Sequence, residues 1–166
     1  MAARPQVTIL AVGKLRETYF RDACAEYVKR LGRLTSAIAL VEVADEATPD
    51  DASAAQEAQI RAREGERLLA RVGPRDTLVV CDGGRGTMLS SEALAAWIET
   101  ACAEEGSSHL VFAIGGSLGH DPQVIARAHR IVSFGPLTFP HQLLRVMLLE
   151  QLYRAFKINA GQAYHK

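Results

Sequence analysis

Four short apolar runs, Val7 to Val12, Ala37 to Val43, Leu78 to Cys81 and Leu110 to Ile114, recur along the chain with longer stretches of helix formers between them. The runs are nearly continuous in apolar character rather than alternating, which is how strands read when both faces of their sheet are covered. The intervening segments, Glu17 to Leu31, Ser53 to Val72 and Ser90 to Glu104, carry apolar residues at three- and four-residue spacing and are each long enough for a crossover helix. This order predicts an open, mostly parallel α/β sheet with helices on both faces. No internal repeat or linker marks a second domain, so residues 1–166 read as one.

The punctuation agrees with that frame. Thr48-Pro49-Asp50-Asp51 breaks the chain before the second helix and sets negative charge at its start, and Gly73-Pro74 ends it. Beyond the fourth run comes Gly115-Gly116-Ser117-Leu118-Gly119, then Asp121-Pro122 as N-cap and first residue of a short helix reaching His129. A short strand at Ile131 to Ser133 leads into Phe134-Gly135-Pro136-Leu137-Thr138-Phe139-Pro140, whose prolines exclude a helix. From His141 to Ile158 the apolar spacing predicts a long amphipathic final helix, with Asn159 to Lys166 as a tail.

Composition narrows the function. With 19 basic and 19 acidic residues the formal net charge is zero, so the chain lacks the global positive field that drives sequence-independent RNA binding. Any RNA contact must be local, and after Glu150 the chain does carry Arg154, Lys157 and Lys166 with no acidic residue. Three cysteines without a close pair, Cys24, Cys81 and Cys102, fit buried free thiols in a reducing compartment. Met1 to Gln6 lacks the features of a secretory signal and no run of about 18 apolar residues occurs. A cytoplasmic protein without membrane partners is expected.

Ligands in open parallel sheets sit at the carboxyl ends of strands. Three such ends here are rich in glycine or proline: Asp82-Gly83-Gly84-Arg85-Gly86, Gly115 to Gly119, and Phe134 to Pro140. Glycines let backbone groups approach a ligand directly, which favours a nucleotide-like cofactor. A dinucleotide fingerprint is missing, because Gly13 stands alone after the first strand. The five histidines, His109, His120, His129, His141 and His165, are scattered without metal-ligand spacing, so no metal is expected. Gly115-Gly116-Ser117-Leu118-Gly119 has the spacing G-G-S-x-G rather than the G-x-S-x-G of a hydrolase elbow.

The run Phe139-Pro-His-Gln-Leu-Leu-Arg-Val-Met-Leu-Leu-Glu-Gln-Leu-Tyr-Arg-Ala-Phe156, with Ala163-Tyr164-His165-Lys166, resembles the C-terminal signature of the RlmH-type ribosomal methyltransferases of the SPOUT superfamily. So do Val12-Gly13-Lys14, Met88-Leu89-Ser90-Ser91-Glu92 and Ile114-Gly115-Gly116-Ser117. The likeness spans nearly the whole chain in order. It departs at Asp82 to Thr87, where relatives more usually carry a leucine, an acidic residue and Gly-Lys.

That resemblance implies a homodimer whose C-terminal segment forms a trefoil knot, with S-adenosylmethionine as cofactor. It implies methylation of N3 of a pseudouridine in 23S ribosomal RNA, on the assembled 70S ribosome. The cofactor contacts it suggests are Cys81 or Asp82, Gly116, and Gly135, Pro136, Leu137, Thr138, Phe139 and Pro140. His165 and Tyr164 are expected to complete the active site across the dimer, with His165 as candidate base because imidazole is the side chain that titrates near neutrality. Arg145 and Arg154 are expected to hold RNA phosphate or the geometry of helix and tail, against the alternative of an ion pair such as Glu150 with Arg154.

Overall fold

A computed structural model describes residues 4–166. Met1 to Ala3 lie outside them. Six strands form one sheet: β1 (Gln6–Val12), β2 (Ala37–Val43), β3 (Thr77–Cys81), β4 (Thr87–Met88), β5 (His109–Ile114) and β6 (Arg130–Ser133). Their spatial order is β2-β1-β5-β3-β6-β4, and every pair is parallel. Five helices cross between or follow them: α1 (Thr18–Leu31), α2 (Ala54–Leu69), α3 (Ser91–Ala103), α4 (Pro122–Arg127) and α5 (His141–Asn159).

Both faces of the central strands are buried, as the continuous runs require. Ile9, Val79 and Phe112 point into a core shared with Leu31 of α1, Ile98 of α3 and Leu152 of α5. Their neighbours Leu10, Val80 and Val111 point the other way, against Leu68 of α2 and Val124 of α4. Two strands differ in character. Ala37–Val43 is an edge strand in which only Val43 is buried, so its apolar run reflects one covered face. The pair Thr87–Met88, with both residues exposed, was not legible as a strand because two residues give no period.

Helix starts follow capping chemistry. The charge expected at the start of α2 is not supplied by Asp50 and Asp51. Ser53 is the N-cap, its hydroxyl accepting from Gln56 N while the Gln56 side chain accepts from Ser53 N. Asp121 caps α4 with Pro122 at the first helical position, as the sequence indicates. The second helix stops at Leu69, one turn before Gly73-Pro74.

The tightest passage in the fold is where β6 lies between β3 and β4, so that the β3–β4 turn must cross it. Asp82 N donates to Val132 O at 3.0 Å, and Gly86 N donates back to Asp82 O at 2.9 Å. A methyl group on Gly86 would stand 2.5 Å from Ser133 N and 2.6 Å from Asp82 O. Those neighbours are backbone and cannot rotate aside, so only glycine fits. Replacing Gly86 by alanine is expected to destabilise the domain by about 3 kcal/mol, read as a lower midpoint in urea unfolding. A midpoint equal to wild type would show that the crossing has slack.

Candidate functional site

At the carboxyl edge of the sheet two adjoining cavities, about 500 and about 610 Å³, share Cys81, Asp82, Gly83, Thr138, Phe139 and Leu144. Three loops build them. The β3–β4 turn supplies Cys81 to Gly84, the β5–α4 loop supplies Gly115 to Gly119, and the β6–α5 loop supplies Phe134 to Pro140. All nine residues expected to hold a cofactor, Cys81, Asp82, Gly116 and Gly135 to Pro140, therefore line this one space. Its size lies within the range of small-molecule sites, and its apolar walls carry a few polar groups, as such sites do.

Each loop is fixed from within. Asp82 Oδ1 accepts from Gly84 N and Arg85 N, both at 2.9 Å, which folds the turn and leaves Oδ2 free to accept a ligand hydroxyl. Gly119 N donates to Gly116 O at 3.1 Å, closing the second loop. In the third, Gly135 has φ +107°, a conformation that L side chains rarely adopt, and its N–H is taken by Ser133 Oγ at 3.0 Å. The Cys81 thiol, fully buried, is pushed up to about 12 by burial. It is therefore a neutral wall residue, and among the residues of this turn that line the cavity Asp82 is the one with a charged side chain.

Gly116 was expected to be small because a cofactor lies against it. Its side-chain direction is instead occupied by protein: a methyl there would stand 2.9 Å from Glu64 Oε1. Glu64 reaches from α2, is 4% exposed, accepts from Glu46 N at 3.1 Å, and has its carboxyl pushed up by burial. The glycine makes room for a buried carboxyl group behind the loop, and its backbone faces the cavity.

Sequence reasoning passed over two histidines that line the second cavity, His120 and His141. His120 is 5% exposed, its Nε2 pairs with Cys81 O at 3.2 Å and its Nδ1 has no partner. His141 opens α5. Without metal spacing or a paired carboxylate in sequence, neither carried a signal beyond its place next to a loop. Two of the others serve the strands: His109 bridges Thr8 Oγ1 and Asp76 Oδ1, and His129 Nδ1 accepts from Leu78 N. Among the described residues no group of three or more His, Cys, Asp or Glu is gathered as a metal would need.

The residues expected to act on the substrate are not in this space. Tyr164 and His165 lie on the outer face of α3 and α5. His165 Nε2 meets Glu92 Oε1 at 2.7 Å, and its Nδ1 lies 3.2 Å from Arg154 Nη1. Arg154 in turn pairs with Glu150 at 2.5 Å and sits over the Tyr164 ring, whose hydroxyl donates to Glu150 Oε1 at 3.2 Å. The Glu92 carboxyl is held below the usual carboxylate range by backbone hydrogen bonding at the start of α3 and by His165. The expected alternative for Arg154, an i, i+4 pair with Glu150, is thus present together with the contact to the tail.

Arg145, too, shows the ion-pair alternative, with Glu42 rather than a residue of its own helix as the partner. It is 2% exposed, so it cannot meet RNA phosphate, and it does not touch the tail. Its guanidinium donates to Glu42 Oε2 at 2.7 Å, to Val12 O at 3.2 Å and to Gly13 O at 2.9 Å. Glu42 also accepts from Leu15 N at 2.7 Å. Arg145 thus reaches from α5 to two carbonyls at the end of β1, and a buried carbonyl needs a donor. Arg145 is a structural pin.

Glycine-rich turns around a paired cavity at the carboxyl edge of a parallel sheet define an α/β protein built to hold a nucleotide-like ligand. Residues 6–165 match the family described as "Predicted SPOUT methyltransferase". The chain is 52% identical over 161 residues to "Ribosomal RNA large subunit methyltransferase H" of Bifidobacterium adolescentis, covering 97% of this chain and 99% of that protein. It is 49% identical to the protein of the same name from Streptococcus thermophilus, with the same coverage. A probable methylase family protein from Haemophilus influenzae Rd KW20 shares the fold, with TM-score 0.52 and 10% identity over all of this chain and 72% of that one. The chain belongs to the SPOUT methyltransferase family.

Arg145→Met is expected to lower stability by about 3 kcal/mol, since it strands two buried carbonyls and unpairs Glu42; urea unfolding reads it, and a loss under about 1 kcal/mol would mean that the pin is dispensable. A second expectation concerns pH. Burial pushes both His120 and His141 below the ordinary histidine value; Asp82 raises and Arg85 lowers the first, while Arg145 lowers and Asp45 raises the second. Below about pH 6.5 the unfolded chain takes up these protons before the folded one does, so stability falls with pH through that window and is fully present above it. Thermal unfolding of wild type and His120→Gln at pH 7.5 and 5.5 is expected to show the larger loss in wild type; equal losses would remove His120 as a cause.

Proposed function

We propose that this chain transfers a methyl group from S-adenosylmethionine to N3 of a pseudouridine in 23S ribosomal RNA, on the assembled 70S ribosome, in the cytoplasm. The observation that carries the reading is the single space formed by three strand-end loops in a chain about half identical, over nearly its full length, to proteins named ribosomal RNA large subunit methyltransferase H.

The residues fit such a cofactor. Apolar walls from Phe134, Phe139 and Leu144 suit a flat purine, exposed backbone groups at Gly83, Gly116 and Thr138 can read its edge, and the free oxygen of Asp82 suits a ribose hydroxyl. When bound, S-adenosylmethionine supplies a methyl on a positively charged sulfur: the new N–C bond forms as the C–S bond breaks, its electrons leaving with sulfur, while the N3 proton passes to a base. The protein's own share is placement of the nucleophile in line with that methyl, which supplies much of the rate in displacements of this kind.

The base in this reading is His165, and it acts in the partner subunit's cavity. Two features support delivery across a homodimer. Its own cavity is lined by none of the tail, and in the resting subunit the imidazole is engaged at both nitrogens, by Glu92 and by Arg154. Glu92 is exposed, so the tail leaves this position at little cost. Tyr164 is read as the second tail residue of the composite site, and Arg154 as the group that orients both. In the same reading the segment after β6 threads through the β3–β4 turn as a trefoil knot, which the close passage at Gly86 supports.

The test is transfer of labelled methyl to unmodified 70S ribosomes, isolated large subunits and free ribosomal RNA, by wild type and by a chain lacking Ala163 to Lys166. Label confined to 70S ribosomes at one pseudouridine, lost on truncation while cofactor affinity is kept, is the expected outcome. Absence of label from a folded dimer that binds the cofactor would sink the substrate, and full turnover by the truncated chain would sink the tail.

A further inference from the structure

The formal neutrality of the chain conceals a segregated charge. At the edge of the sheet opposite the cofactor cavities, a concavity of about 520 Å³ is lined by Arg4, Lys29, Arg30, Arg33 and Lys157, with Glu26 as its one carboxylate. Glu26 is spent on Arg30, which it meets at 2.9 Å. Among the described residues the other four cations have no carboxylate partner. Arg4 donates to the backbone oxygen of Arg33 at 2.9 Å, Lys157 donates to Gln162 Oε1 at 2.6 Å, and Lys29 and Arg33 have no side-chain partner among the described residues. Arg4, Lys29 and Arg33 are exposed.

Aromatic rings interleave with these charges. Tyr153 lies between Arg30 and Lys157, whose cationic groups stand 5.8 and 5.5 Å from its ring centre. Its ring then meets Tyr164 edge-on at 4.8 Å, and Tyr164 carries Arg154 on its face. A basic and aromatic strip therefore runs without a break from the concavity to the tail that bears His165. Cations spaced along a groove with stacked rings among them are the pattern that tracks a nucleic-acid backbone.

We infer that this concavity holds the phosphate backbone of the RNA whose nucleotide is methylated, the juxtaposition being four unpaired cations beside the tail and remote from the subunit's own cavity. The inference rests on the reading given under Proposed function. Its geometry has a specific sense. Along α5, His141 at the cavity and Lys157 at the concavity are 16 residues apart, about 24 Å at the helical rise. A nucleotide whose own phosphate is held at the concavity is thus too far from the same subunit's cavity to place its base there. It lies beside that subunit's tail, so patch and tail from one subunit serve the cavity of the other. A neutral protein acquires in this way a local electrostatic hold without a general affinity for RNA.

The test compares wild type with a variant carrying Arg4→Gln, Lys29→Gln, Arg33→Gln and Lys157→Gln, and with a control carrying Arg4→Lys, Lys29→Arg, Arg33→Lys and Lys157→Arg. Thermal unfolding and calorimetry with S-adenosylmethionine establish that both fold and bind cofactor. The neutral variant is expected to raise KM for 70S ribosomes at least tenfold at about 0.15 M salt, near the physiological value. The slope of log affinity against log salt for protein-free 23S ribosomal RNA is expected to flatten by about 3, at roughly 0.7 for each phosphate no longer neutralised. The charge-preserving control should behave as wild type. Unchanged KM and slope in the folded neutral variant would overturn the assignment. So would a raised KM on ribosomes with an unchanged slope on free RNA, which would point to an acidic protein surface. If wild type transfers no methyl to any substrate yet the slope flattens as stated, the methyltransferase reading fails while the RNA surface stands.

Discussion

The crossing of two backbones at Gly86 and Val132–Ser133 governs much of this molecule. Neighbouring parallel strands cannot be joined by a tight turn, so β3 and β4, linked only by Asp82 to Gly86, are parallel without lying side by side. Here one addition, β6, enters a gap between strands already separated by the β3–β4 turn. That turn must then pass over β6 with no side chain intervening, and the hydrogen bond from Asp82 N to Val132 O closes it. The same closeness brings the first and third loops of the cavity together, since Gly83 and Gly135 face each other across it. Packing and site formation are one event at this point.

Electrostatics divide the chain in a comparable way. Buried Arg145, paired with the exposed Glu42, and buried Glu64 behind Gly116 hold loops in place. The cations of the basic concavity lie at the opposite edge of the sheet, beside the tail. The cavity itself has little fixed charge: Asp82 is the one carboxylate in its lining, and burial pushes its two histidines below their ordinary value. Such a lining suits a ligand that brings its own positive charge, because it discriminates by shape and hydrogen bonding while leaving that charge undamped.

Much of the architecture was legible in the sequence because burial on both faces leaves an unambiguous trace. The runs at Val7, Leu78 and Leu110, read as strands covered on both faces, are the central strands β1, β3 and β5. The edge strand Ala37–Val43 produced the same trace from one covered face, and β4 produced none. The three cavity loops were legible through glycine and proline, which report backbone demands directly. What escaped was side-chain direction. Nothing in the order of residues shows that Arg145, seven positions from Leu152 on the same helix, turns inward to carbonyls at the end of β1, or that His120 lies beneath the Cys81 carbonyl. Nor does sequence reveal that Gly116 is small for the sake of Glu64, a residue 52 positions earlier. These are long-range coincidences of packing, and local pattern carries no record of them.

The order in which the cavity's walls occur along the chain has a temporal consequence. Cys81 to Gly84 come first, Gly115 to His120 next, and Phe134 to Leu144 last, while α5, which seats the final wall, follows every strand of the sheet. A nascent chain synthesised from its N-terminus therefore owns no complete ligand pocket until its last strand and the start of its last helix have emerged. The small molecule cannot nucleate assembly of the sheet, and any stabilisation it confers is reserved for a chain whose strands are already made.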